Sequence, residues 1–273
     1  MASKNRTPNR QLELVISLPQ STAQEGRGVD HLYTQILKQA VDDVVISDND
    51  KEKIYPRFRT VVGAVLLVFN PLSTKAFSDL LKVSDISTTL NYLYSLLLVP
   101  EKLEDPIQTF HKSFPDFLTD PKRCKDKQFF VDPAVHHAII FFSCMGLMKE
   151  RLRKDICNLD YPVDLSEVDD LSACQKENIG DALKYACHFW PKHLLGISGN
   201  SPHTGEVQKA INEFFSTSLL YWIEVLVLTR NLGVGVYAMN DVEQWYTSVS
   251  AVWVLIKICV DKYLGRNFMQ VDQ

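Results

Sequence analysis

Apolar residues return at helical spacing along most of this chain, and the stretches between them are polar and proline-marked, as connections between helices are. After Asp30, the residues Leu32, Ile36, Ala40 and Val44 recur every fourth position, which predicts a helix over 29–44 with one face needing cover. The polar run 47–53 reads as a linker, and Pro56 as the opening of the next helix, because the first helical turn leaves its amides unpaired anyway. Phe58, Val61, Val62, Val65 and Phe69 then keep helical spacing, although a run so rich in valine also suits a buried strand; helix is the expectation. Residues 70–73 break it, and Ser73 is placed to cap a short helix through Leu81 with Ala76, Phe77, Leu80 and Leu81 inward. A third helix from Ser84 or Asp85 aligns Ile86, Leu90, Leu93 and Leu97 and leads into a strand at 98–100. A second strand, 107–110, follows across the polar, proline-bounded segment 101–106. Three short helices and a hairpin make a winged-helix domain.

The second half is helical throughout. Residues 119–128 form a charged connector, after which Asp132 and Pro133 open a long helix carrying Val135, Ile139, Phe142 and Gly146 inward and ending in the basic cluster 149–154. Ile179, Leu183, Ala186, Trp190 and Leu194 keep a strict helical rhythm that Pro191 should kink or split. Val207, Ile211 and Phe214 to Phe215 begin one further helix, and others cover 219–228 and 249–264. The fold class is therefore mainly α: a winged-helix domain with a short β-hairpin followed by a helical array, with divisions expected after residues 53, 120 and 245. No internal repeat stands out.

Composition narrows the function classes. With 273 residues, 46% of them apolar, the chain can build real cores, and a net charge of -4 argues against a surface made chiefly to neutralise nucleic-acid phosphates. Cys124, Cys144, Cys157, Cys174, Cys187 and Cys259 are scattered without a C-x-x-C pair, which fits reduced thiols in a cytoplasmic protein. Lys4, Arg6 and Arg10 are followed by no apolar stretch of signal-peptide length, and the apolar runs 61–69 and 249–260 fall short of the roughly 20 residues a membrane span needs. A cytoplasmic location without a membrane span is expected.

Several patterns invite chemistry. Gly233, Gly235 and Ala238 match G-x-G-x-x-A, but helical spacing precedes them where a dinucleotide site requires a strand. Gly196 to Asn200 approaches a nucleophile elbow yet has Asn200 at the second glycine position, and a loop is the simpler reading. His136 and His137 are adjacent and face different ways on a helix, and Cys187, His188 and His193 lack i, i+4 spacing, so packing or surface roles are expected and no metal is assigned. A recognition helix over 84–100 would present Ser87, Thr88, Asn91 and Ser95 but no Lys or Arg, which leaves a DNA-binding winged-helix regulator as the alternative and a dinucleotide enzyme behind it. His111 lies within Phe110-His111-Lys112-Ser113-Phe114-Pro115-Asp116-Phe117-Leu118, between a short apolar run and a helix start. An imidazole there can lock the turn through a backbone group or donate to a phosphate.

Taken together, Leu32-Tyr33-Thr34-Gln35-Ile36-Leu37, Phe58-Arg59-Thr60-Val61-Val62-Gly63, Asn70-Pro71-Leu72-Ser73, the 110–118 segment, and Tyr185-Ala186-Cys187-His188-Phe189-Trp190-Pro191-Lys192-His193-Leu194 resemble the middle section of mushroom-type NACHT proteins that lead into WD-repeat arrays. The resemblance runs from about residue 11 to residue 246. It implies part of a STAND-type signal-transduction switch of the kind found in fungal innate immunity: 1–53 the C-terminal remnant of a NACHT ATPase domain plus linker, 54–120 a winged helix, 121–245 a helical domain, and 246–273 a divergent helical tail. In such switches a histidine after the winged-helix hairpin touches the phosphate of bound ADP, and the matching position here is His111. No G-x-x-x-x-G-K-[ST] loop occurs, so no catalysis and no nucleotide bound by this chain alone is expected, with ADP or ATP belonging to a complete relative. A truncated paralogue or partial gene product is the corresponding expectation, as are a NACHT ATPase domain or other proteins as partners, with oligomerisation open and no nucleic acid.

Overall fold

The computed structural model describes residues 25–42, 48–91, 93–159, 165, 168, 170–198 and 201–247, and among them the architecture is mainly α with one two-stranded sheet. The chain divides into two units, Met1–His136 and His137–Gln273. The expected helix over 249–264 and Val44 lie outside the described residues.

In the first unit, α1 (Glu25–Asp42) buries Tyr33, Ile36, Leu37, Ala40 and Val41. The next helix, α2 (Asp48–Leu67), begins eight residues before Pro56, so the expected linker 47–53 is helical from Asp48 and Pro56 sits inside the element. An interior proline forfeits one helical hydrogen bond and costs about 3 kcal/mol. The face formed by Phe58, Val61, Val62 and Val65, all buried, opposes that cost and settles helix over strand for the valine-rich run. The Ser73 side chain accepts the Ala76 amide at 3.1 Å and starts α3 (Thr74–Leu81), whose inner face is Ala76, Phe77 and Leu80; Lys82 ends it in the left-handed region.

The third helix is shorter than its leucine spacing predicts. Helix α4 covers only Ile86–Asn91; Leu93 and Leu96 are buried from turns, and Leu97 from strand β1 (Leu97–Leu98). Strand β1 pairs antiparallel with β2 (Gln108–Thr109) in the register Leu97↔Thr109 and Leu98↔Gln108. The far arm is tied down where Ile107 donates to the Leu72 carbonyl (2.9 Å) and Ser73 bridges Pro106. Helix α5 (Ser113–Thr119) then buries Phe114, Phe117 and Leu118, and Arg123 reaches back to Asp30 of α1 at 2.6 Å.

Helix α6 (Pro133–Arg151) starts as its sequence predicts, with the Asp132 carboxylate accepting the Ala134 amide at 2.9 Å. Its inward face does not follow the predicted stripe. Val135 is 51% exposed and Gly146 exposed, whereas Ala138, Ile140, Phe141, Cys144, Leu147 and Met148 are buried. Within the first unit, Gly63 of α2 lies against the His136 ring: a β-carbon there would stand 2.2 Å from His136 Cδ2. That ring is pinned, its Nδ1 2.8 Å from the Asp132 carbonyl and a further bond reaching the Arg59 backbone. We expect Gly63→Ala to destabilise this unit by about 1–3 kcal/mol despite the better helix propensity of alanine. Urea unfolding checks this, and an unchanged or higher midpoint would show that the ring yields.

The second unit follows with α7 (Leu171–Asn178), α8 (Gly180–Leu195), α9 (Thr204–Thr217), α10 (Leu219–Leu228) and α11 (Leu232–Thr247). Its centre is an aromatic cluster in which Trp190 lies 5.1 Å from Phe214 and 6.1 Å from Trp222 between ring centroids. Leu183, Ala186 and Leu194 share the buried stripe of α8, as the spacing predicts. Pro191 does not split that helix. Proline removes the amide that would bond the carbonyl four residues back, that of Cys187, and the Trp222 indole N–H donates to that carbonyl instead, at 2.8 Å. Among the described residues no single helix is long and apolar enough to cross a membrane; α9 and α10 meet that test only as a pair bent by 73°.

Candidate functional site around His111

The hairpin delivers His111 to the edge of the first unit. Phe110 donates to the Leu96 carbonyl at 3.2 Å, which continues the pairing up to the residue before the histidine, and the Phe114 amide closes on the His111 carbonyl at 3.2 Å. The imidazole is exposed. Its Nδ1 accepts the Ser113 amide at 3.1 Å and lies 2.7 Å from the Ser113 hydroxyl. A backbone amide can only donate, so Nδ1 carries no proton and the neutral ring holds its proton on Nε2, as a donor. Ser113 Oγ in turn pairs with the Tyr33 hydroxyl at 2.6 Å, and the Tyr33 ring packs 5.3 Å from Phe114 and 5.4 Å from Phe117. A chain of contacts thus runs from the aromatic core of the unit to the exposed imidazole and fixes its tautomer. The backbone group that locks this turn is the Ser113 amide, and the side chain caps the start of α5.

The remaining sequence candidates fall elsewhere. Gly233, Gly235 and Ala238 all lie within α11, preceded by helix α10, so the strand-turn-helix that a dinucleotide requires is not formed. Gly235 is where α11 approaches α10, its would-be β-carbon 3.0 Å from Leu226. Of the expected recognition face, Thr88 is exposed and Ser87 and Ser95 are half-buried, on or beyond a helix of only six residues. Among the described residues no group of His, Cys, Asp and Glu could hold a metal ion. Gly196 follows α8, and Gly199 and Asn200 lie outside the described residues.

One arrangement escaped the sequence reading. In the second unit His193, wholly buried, places Nδ1 2.9 Å from Nδ1 of His137 and Nε2 2.7 Å from the Tyr185 hydroxyl. Burial first, and the neighbouring His137 second, press the His193 pKa down to about 3. Gly196 completes the fit: a β-carbon there would stand 2.3 Å from the His137 ring. Tyr185 and His193 share the segment 185–194, but His137 is 56 residues before His193, and no local spacing signals it.

No family model matches the chain, and no solved structure matches it. Over 239 residues, 80% of this chain, it is 25% identical to the vegetative incompatibility protein HET-E-1 of Podospora anserina, of whose length it spans 16%. That similarity supports a NACHT-related family for the chain and nothing narrower.

Proposed function

We propose that this chain is a non-catalytic regulatory and interaction section of a NACHT-type signalling switch, with residues 54–120 acting as the winged helix and 121–245 as the helical relay. The similarity over 80% of the chain carries this reading. The exposed His111, held through Ser113 with its donor on Nε2, supports a contact to the phosphate of ADP presented by a NACHT ATPase domain. A charge-assisted bond of that kind is worth about 1.5–3 kcal/mol. The role in such a switch is conformational: nucleotide held by the lid favours the resting state, and its loss releases the section toward protein partners.

The test uses a complete NACHT protein carrying this section and reads the release of labelled ADP. His111→Asn keeps an acceptor near the Ser113 amide but removes the Nε2 donor, whereas His111→Gln keeps a donor near Nε2 and loses the cap. We expect His111→Asn and His111→Ala to release ADP roughly tenfold faster, in line with one lost charge-assisted bond, and His111→Gln to retain more. Wild-type retention in His111→Asn, with melting unchanged, would mean that the residue only caps α5.

A further inference from the structure

The last turn of α6 leads into a tight segment, residues 152–159, that is held from several sides. The Glu224 carboxylate of α10 accepts the amides of Asp155 (3.2 Å) and Ile156 (2.9 Å), and the Leu159 amide donates to the Asp155 side chain at 2.7 Å. Asp155 and Asn158 both adopt the left-handed region, so the backbone doubles back on either side of buried Cys157. Helix α7 brings Cys174 to this segment. Its Sγ donates to the Cys157 carbonyl at 3.3 Å, which sets the two cysteines against each other. Asn178 donates to the Cys174 carbonyl (3.1 Å) and to its sulfur (3.6 Å), which orients the thiol from its own helix.

Helix α7 is lightly anchored. None of its residues is fully buried, and besides Cys174 its attachment includes Gln175, which donates to the Leu228 carbonyl. A half-buried thiol on a lightly packed helix, bonded to the backbone of a buried cysteine on a braced turn, is the arrangement in which one sulfur can be reached by a small oxidant while the second waits beside it.

We infer that Cys157 and Cys174 form a reversible disulfide site that, when closed, staples α7 to the turn after α6. With a low-molecular-weight disulfide such as oxidised glutathione, the Cys174 thiolate attacks one glutathione sulfur, the S–S bond breaks, and one reduced glutathione leaves with a proton. The Cys157 sulfur then attacks Cys174 Sγ, displacing the second glutathione as its thiol. The two protein thiols are oxidised by two electrons, and one oxidised glutathione becomes two reduced ones. Burial first, and the neighbouring Cys174 second, push the Cys157 thiol up to about 12, which suits it to the second, intramolecular step rather than to first attack. The closed loop would span residues 158–173, and a bridge over a loop of roughly 15 residues removes enough unfolded-state freedom to raise Tm by about 5 °C or more in a chain of this size.

The full chain is treated with excess oxidised glutathione at neutral pH and analysed by peptide mapping and thermal melting. Wild type should lose two thiols, keep no glutathione, yield a peptide joining residues 157 and 174, and melt higher; dithiothreitol should restore the thiols, remove the joined peptide and return Tm to its starting value. In Cys157→Ser one glutathione should stay on Cys174, and in Cys174→Ser Cys157 should stay reduced, with no rise in Tm in either. Stable glutathionylation of wild-type Cys174, a bridge between another pair, or no loss of thiols would overturn the site.

Discussion

Replacing Trp222 by alanine will destabilise the second unit by about 3–5 kcal/mol, the cost of removing a buried aromatic from a close-packed core. Two separate contributions make up that loss. The indole is 2% exposed and packs edge-on against Trp190 at 6.1 Å and Phe214 at 5.7 Å, so its removal opens a cavity at the aromatic centre. It also leaves the Cys187 carbonyl without the donor that replaces the amide missing at Pro191. An unsatisfied buried carbonyl costs about 1–3 kcal/mol. Trp222→Phe isolates this second contribution, because it keeps most of the ring volume and removes the N–H. In a Pro191→Ala background the helix regains its own amide donor, and Trp222→Phe should cost about 1 kcal/mol less than in wild type. Equal costs for Trp222→Phe in the two backgrounds, measured by chemical denaturation, would sink the idea that the indole compensates for the proline.

That pairing also marks where sequence reading stops. Pro191 predicts a break on local grounds, since nothing within a few residues can supply a substitute donor; the donor comes from α10. Where evidence is local, the reading succeeds: Ser73 caps α3, Asp132 starts α6, and the stripe through Leu183, Ala186, Trp190 and Leu194 is the buried face of α8. It fails on α6 because Ile139, Ile140, Phe141, Phe142, Met145, Leu147 and Met148 surround that helix with apolar groups, and a periodic signal cannot choose a face when nearly every direction is apolar. It overextends α4 because Leu93 and Leu97 keep helical spacing while being buried from a turn and a strand. The position of His111 at the hairpin exit was legible; its tautomer, which depends on Ser113 and, through it, on Tyr33 eighty residues before that serine, was not.

Acid will unfold the second unit through His193. An unfolded histidine takes up its proton near pH 6.5, whereas the folded ring, fully buried with both nitrogens engaged, resists protonation until about pH 3. The folded pKa is depressed, so the stability present above pH 6.5 is lost as pH falls through the window from 6.5 to 3, at about 1.4 kcal/mol per pH unit and on the order of 5 kcal/mol in all. No discount for solvent applies to a ring with no exposure. The His137 nitrogen 2.9 Å away strengthens the effect, because two imidazolium rings cannot share one hydrogen bond. Burial lowers His188 of α8 as well and adds to the same slope, while Asp241 of α11, its pKa raised by burial, opposes it. His193→Gln retains a donor and an acceptor but does not titrate. Urea unfolding between pH 6 and pH 4 should therefore show a wild-type slope steeper than that of His193→Gln by close to one proton. Should the variant fold poorly, the wild-type imidazole proton resonances serve instead: the His193 signal must stay neutral down to pH 4, and titration near pH 6.5 would assign the acid sensitivity to other groups.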